Sequence, residues 1–234
     1  MELSENEVNM PEHHTQTKQR LRQLLQTGGR VATTATLAKR GLLASATALR
    51  LPQVQLDVRT RVTQSDSTRR LTFVALEEEL LHQPSRDLMH AAAMTEALAQ
   101  YPGLVPAGYE WRLVDSTERR QLGPGHRPDA ELLSPDLNGY RQDIAVEFDA
   151  GYSPKTIKAK LRVYAESGYR DIIWMTSIHG RVASVQQMAS SLGEMGKLDG
   201  VQRVTTVWSD FWSEADRYGH RPRCHKPNVA HVHL

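Results

Sequence analysis

Two apolar runs joined by one amphipathic segment constrain this chain most. Ile144-Ala145-Val146-Glu147-Phe148 reads as a strand beginning at Asp143. Ser153-Pro154 then opens a helix running to about Ser167, with proline at the first helical position and Gly168 closing it. Asp171 to Ser177 follows as a largely continuous apolar run, the mark of a strand buried on both faces. Strand, helix and strand make a β-α-β crossover, and a crossover demands a sheet with helices packed on it.

The flanking sequence extends that unit. Ser85 to Ala99 predicts a helix capped by Ser85, with Leu88, Ala91, Ala92, Met94 and Leu98 as its apolar stripe and Pro102-Gly103 beyond its end. Glu110 to Asp115 and Arg127 to Leu133 read as strands, and Asn138-Gly139 is a hairpin signal. Val182 to Leu192 predicts another helix and Val201 to Trp208 another strand. The order from Ser85 is αβββαβαβ. It implies an α/β (α+β) fold in which an antiparallel meander passes into the crossover, giving a mixed sheet flanked by helices.

The first third reads differently. Residues 1–14 lack periodicity and are expected to be disordered. Leu21, Leu24 and Leu25 fall at helical spacing behind Thr15 or Thr17, and Gly28-Gly29 stops that helix. Short helices follow over 35–40, capped by Thr33 or Thr34, and over 45–51 before Pro52, with a turn at Gly41. Residues 54–62 alternate at period two, 63–68 form a polar turn, and 69–76 return as a second strand. Three helices and a basic hairpin predict a winged helix-turn-helix over 15–78, although Pro52 leaves the third helix short. A small protein-contact module is the alternative. A nuclease-like domain over 79–212 and a basic, histidine-containing tail over 213–234 complete the expected division.

Charge places a partner beside the first third. The chain's formal net charge is only +2, yet residues 16–75 hold eleven Lys and Arg against two Asp. Lys39, Arg40, Arg50, Arg59, Arg61, Arg69 and Arg70, with Arg127 further on, are the candidate contacts to the phosphates of double-stranded DNA. The bland reading is a solvated charged face. No run approaches the roughly 20 apolar residues of a membrane span. Cys224 is the single cysteine, so no intrachain disulfide forms, as expected of a cytoplasmic protein. His220, His225, His231 and His233 share the tail with Cys224, but their irregular spacing argues weakly for zinc and better for a loose tail near DNA.

Three carboxylates suggest chemistry. Asp129 follows Pro128 at a strand start, and Glu147 and Asp149 lie two apart and leave one face of the next strand. Lys155, Lys158 and Lys160 come just beyond. Hard oxygen ligands beside lysines are what a Mg²⁺ or Mn²⁺ site acting on phosphodiesters needs. Singly, each residue has an ordinary reading: a turn aspartate, a solvated Glu-x-Asp, surface lysines. His126 and Arg127 are placed to touch phosphate or merely to flank a loop. His90 reads as a packed histidine, and Glu96 is not expected to join the site.

Pro128-Asp129, Glu147-Phe148-Asp149 and the element order resemble the restriction-endonuclease-like superfamily, the PD-(D/E)xK nucleases. The helix carrying His90, the strand around Trp111, Arg127-Pro128-Asp129 and Lys160-Leu161-Arg162-Val163-Tyr164 resemble its replication-relaxation branch of plasmid and mobile-element proteins. The resemblance implies a winged helix joined to a nuclease-like domain, with Asp129 and Glu147 as metal ligands. It implies an endonuclease that nicks or cleaves DNA, or an inactive relative serving as a DNA-binding accessory factor in replication, transposition or transcription. Homodimers or partner proteins of a replication, conjugation or transposition complex follow by analogy. One departure stands out: Asp149 fills the position of the catalytic lysine. Lys160 or Lys158 is then expected to reach back from the helix, with Asp149 either a third metal ligand or the mark of lost catalysis.

Overall fold

In the computed structural model, which describes residues 10–60, 67–114, 127–135, 143–214 and 228–234, the crossover forms as its sequence pattern predicts. β6 (Ile144–Asp149) runs parallel to β7 (Asp171–Thr176), and β7 runs parallel to β8 (Arg203–Trp208). Helices α5 (Pro154–Glu166) and α6 (Arg181–Glu194) make the two connections. Ser153 caps α5 by accepting the amide hydrogen of Thr156. β4 (Glu110–Leu113) and β5 (Ala130–Leu133) extend the sheet antiparallel on one side, and β9 (Val229–His233) on the other. The result is a mixed six-stranded sheet in the order β4-β5-β6-β7-β8-β9.

Alternation of side chains gives this sheet two different faces. Ala145, Ile172, Trp174 and Val204 pack under α5 and α6 with Ile157, Leu161, Tyr164, Val185 and Ala189. Val146, Phe148, Ile173, Met175 and Val207 point the other way, toward α4 (Ser85–Gln100). Residues Leu88 to Ala97 of α4 are all buried. A helix buried on every side must have protein on every side, and the second partner is the N-terminal sheet. That sheet holds β1 (Val31–Thr33), β2 (Gln53–Thr60) and β3 (Ser67–Ala75) in the antiparallel order β1-β3-β2. Val31, Val58, Leu71 and Phe73 belong to the same apolar cluster as α4 and the large sheet. The core is therefore continuous across the boundary at residue 78. α1 (Met10–Gln26), α2 (Thr34–Lys39) and α3 (Leu43–Ala48) cover the N-terminal sheet through Leu21, Leu25, Leu37 and Leu42.

Several expectations shift. α1 begins at Met10, inside the segment expected to be disordered, because Pro11 is tolerated in a first helical turn. Thr15 and Thr17 thus lie within α1 instead of capping it. The N-cap of α4 is Pro84 and no side chain caps it, so Ser85 is the first helical residue. Residues 78–82 form a short 3₁₀ turn. The end of the expected loose tail is strand β9, held by Val204 and Val207 through a five-residue ladder. β1 was not expected at all: three residues are too few to show a period. Of the expected polar turn over 63–68, Ser67 and Thr68 instead begin β3, and residues 63–66, with Arg61, His126, Asn138-Gly139, His220, Cys224 and His225, lie outside the described residues.

The N-terminal sheet meets α4 without room to spare at one glycine. The amide of Gly29 donates to the Thr95 hydroxyl at 3.0 Å, and a Cβ at Gly29 would lie 2.0 Å from the Ala91 carbonyl oxygen. The Gly29→Ala variant is expected to lose about 3 kcal/mol, the upper part of the range for overpacking, in a urea unfolding curve.

Candidate functional site

Asp129 stands one residue before β5, in register opposite Glu147 of β6, because Ala130 pairs with Val146. Its Oδ2 accepts the Phe148 amide at 2.9 Å and lies 3.1 Å from His90 Nδ1 on α4. Asp129 is 6% exposed and Glu147 is completely buried. Two of the three expected carboxylates thus come together, out of water and on adjacent strands.

Glu147 is held by three donors from the next loop and helix. Tyr152 donates its hydroxyl to Oε1 at 2.9 Å, and Tyr164 donates to Oε2. Lys160 Nζ sits 2.9 Å from Oε1 and 3.1 Å from the Tyr164 hydroxyl. Lys160 and Tyr164 are four apart on α5, so one helical face delivers both. Burial raises the Glu147 pKa, the Asp129 charge raises it further, and Lys160 and Tyr164 pull it back. Burial and then the Glu147 charge push both tyrosine hydroxyls far above their ordinary range, so they stay protonated donors.

The remaining expected residues part company. Asp149 is also completely buried, but Arg181 Nη1 reaches its Oδ1 at 3.0 Å and Oδ2 at 2.8 Å. The amides of Gly151 and Tyr152 donate to its Oδ1 as well. Asp149 therefore anchors the β6–α5 loop to α6, and its lone pairs are not turned to a metal shared with Glu147. Lys158 is exposed, because two residues from Lys160 is over half a helical turn. Lys155 is exposed too. Among the described residues no group of three His, Cys, Asp or Glu is arranged to hold a metal ion. The donor set on offer is the Asp129–Glu147 pair, and two carboxylates suffice for Mg²⁺, which keeps several of its waters.

The basic residues also divide. Lys39 pairs with Glu96 at 2.9 Å and donates to the Asp210 carbonyl, while Arg40 binds Glu96 at 3.2 Å and the Ala99 carbonyl at 3.1 Å. Both fasten α2 to α4 instead of facing DNA, since buried Glu96 needs a counter-charge. Arg70 makes an exposed two-pronged pair with Asp57 at 3.0 and 3.2 Å, and Arg50 and Arg59 are exposed. Arg69 and Arg127 are half-buried. His231 is bound to Thr205 at 3.0 Å between β8 and β9.

Tyr152 is the residue that sequence reasoning passed over, while His90 was read only as a packed histidine and Tyr164 only as the end of the Lys160–Tyr164 run. The one signal was the Lys160–Tyr164 spacing; His90 and Tyr152 reach the site only through tertiary packing. No protein-family model, curated protein or solved structure matches the chain, so the site stands on its own geometry.

Lys160→Met leaves two carboxylates buried with less positive charge. It is expected to cost about 3 kcal/mol at alkaline pH, as breaking a buried pair does. Glu147 has a raised folded-state pKa, so it contributes stability below its unfolded pKa and loses it as pH rises through the folded value. The deficit of Lys160→Met should therefore shrink in acid, which urea unfolding across the pH range will read.

Proposed function

We propose that this chain is a DNA-binding protein whose Asp129–Glu147–Lys160 site hydrolyses phosphodiester bonds with Mg²⁺ or Mn²⁺. The observation that carries the proposal is the placement of Lys160 Nζ 2.9 Å from a buried Glu147 that faces Asp129 across two strands. Mutual repulsion and burial make this pair a poor resting place for two negative charges and a good one for a divalent cation. Such an ion would polarise a phosphate oxygen and lower the pKa of a bound water. Lys160, arriving from α5 instead of from the strand, takes the role that Asp149 cannot fill. His90 orients Asp129, and the two tyrosines orient Glu147.

Helices α1–α3 with the β1-β3-β2 sheet support the reading of a winged helix-turn-helix that holds double-stranded DNA. α3 spans six residues and carries no basic side chain, so exposed Arg50, Arg59 and Arg70 act on phosphates and base reading is slight. A home on a plasmid or mobile element rests on the resemblance to replication-relaxation proteins alone. The second reading is a nuclease-like binder that does not cleave. It is favoured by the three donors on Glu147 and by the locking of Asp149 to Arg181.

Supercoiled plasmid incubated with Mg²⁺ or Mn²⁺ is expected to become nicked or linear, and Asp129→Ala and Glu147→Ala to abolish this. Lys160→Ala should slow cleavage about 100-fold or more, the loss seen when a single charge-stabilising group is removed. Lys158→Ala should leave the rate unchanged. Retention of DNA by wild-type protein without cleavage in either metal would overturn the hydrolytic proposal and leave the binder.

A further inference from the structure

We infer that the cleft beside the carboxylate pair takes one unpaired nucleotide of a DNA strand, with Arg86 and Arg59 on its phosphates. The inference rests on the function proposed above and names the substrate of that same site. The cleft has a volume of about 450 Å³ and lies between β2, the first turns of α4 and the β6–α5 loop. Its inner wall includes His90 and Tyr152. Each of these is bonded to one of the two carboxylates, His90 to Asp129 at 3.1 Å and Tyr152 to Glu147 at 2.9 Å. The cleft therefore ends one side chain short of each carboxylate, at His90 and at Tyr152.

Size and lining select the occupant. The volume falls in the lower half of the range for small-ligand pockets, about 300–1,000 Å³. A stacked duplex, whose major groove alone is about 12 Å wide, is far larger. With Asp129 6% exposed and Glu147 completely buried, a phosphate on a paired strand stays outside, whereas an unstacked nucleotide enters. Tyr152 offers the aromatic surface on which a base packs in a sequence-tolerant way, with Val58 and Met89, themselves buried, in the cleft's lining. Arg59 and Arg86 supply the forked donors that phosphates accept. Arg86 and His90 are one turn apart on α4, so the phosphate contact and the Asp129 contact share a face. Arg86 reaches the Tyr152 hydroxyl at 3.4 Å. Burial lowers the Arg86 pKa, but its bond to the Tyr152 hydroxyl and the Asp129 charge leave it raised.

The test compares two labelled DNA duplexes of one length by fluorescence anisotropy in chelator, one fully paired and one with a short unpaired bubble. Wild-type protein is expected to bind the bubble about tenfold more tightly, the worth of one charge-assisted contact. Arg86→Ala should erase that preference while leaving the fully paired affinity within about twofold of wild type; Arg59→Ala, which also removes a duplex phosphate contact, should weaken both and the bubble more; thermal melting confirms that each variant folds. Equal wild-type affinity for both duplexes overturns the inference, as does an equal loss on both duplexes in the variants. Adding Mg²⁺ separates the two proposals. Cleavage of both duplexes at one rate sinks the unpaired-nucleotide inference and keeps the hydrolase. A bubble preference without any cleavage keeps the nucleotide cleft and sinks the hydrolase.

Discussion

The burial of α4 on every side is the constraint on which the rest depends. A helix in that position has no water for its polar side chains, so each must find a protein partner or cost stability. Thr95 takes the Gly29 amide, Glu96 takes Lys39 and Arg40, and His90 takes Asp129. The first two ties fasten the N-terminal helices and sheet to α4. The third fixes a carboxylate at the mouth of the large sheet. One helix thus joins the two sheets and orients the site, through different side chains.

The carboxylate pair illustrates why a buried site needs a surrounding set of donors. Glu147 without water and facing Asp129 is costly as a charge, and its raised pKa records that cost. Lys160, Tyr152 and Tyr164 return part of it through two hydroxyl bonds and one ion pair. The tyrosines come from either side of the α5 N-terminus, whose position is set by the Ser153 cap and by the Asp149–Arg181 bridge. Asp149 therefore matters to the site through the loop it holds.

Legibility in the sequence followed the strength of local periodicity. The crossover and α4 are readable because their apolar patterns run for six residues or more, whereas β4 and β5 of the meander span only four residues each. β1 and β9 escaped: β1 has three residues, and β9 is an edge strand amid histidines whose pairing with β8 lies 26 residues away in sequence at Thr205 and His231. Asp129, Glu147 and Lys160 were readable as candidates from spacing and resemblance. The split between Lys160 and Lys158 needed the phase of α5, and the fates of Lys39 and Arg40 needed the position of α4. A basic residue in sequence carries no sign of whether a buried glutamate waits for it.

By itself, the sequence determined a mixed sheet with helices on both faces, since continuous apolar strands joined by an amphipathic helix admit little else. It also determined which residues were chemically able to hold a cation or a phosphate. Only the tertiary structure decided which of them meet. Asp129 faces Glu147 by strand register, Asp149 turns to Arg181, and His90 and Tyr152 line a cleft built from three separate elements. Register and packing act between residues far apart in the chain, and local pattern holds no record of such distances.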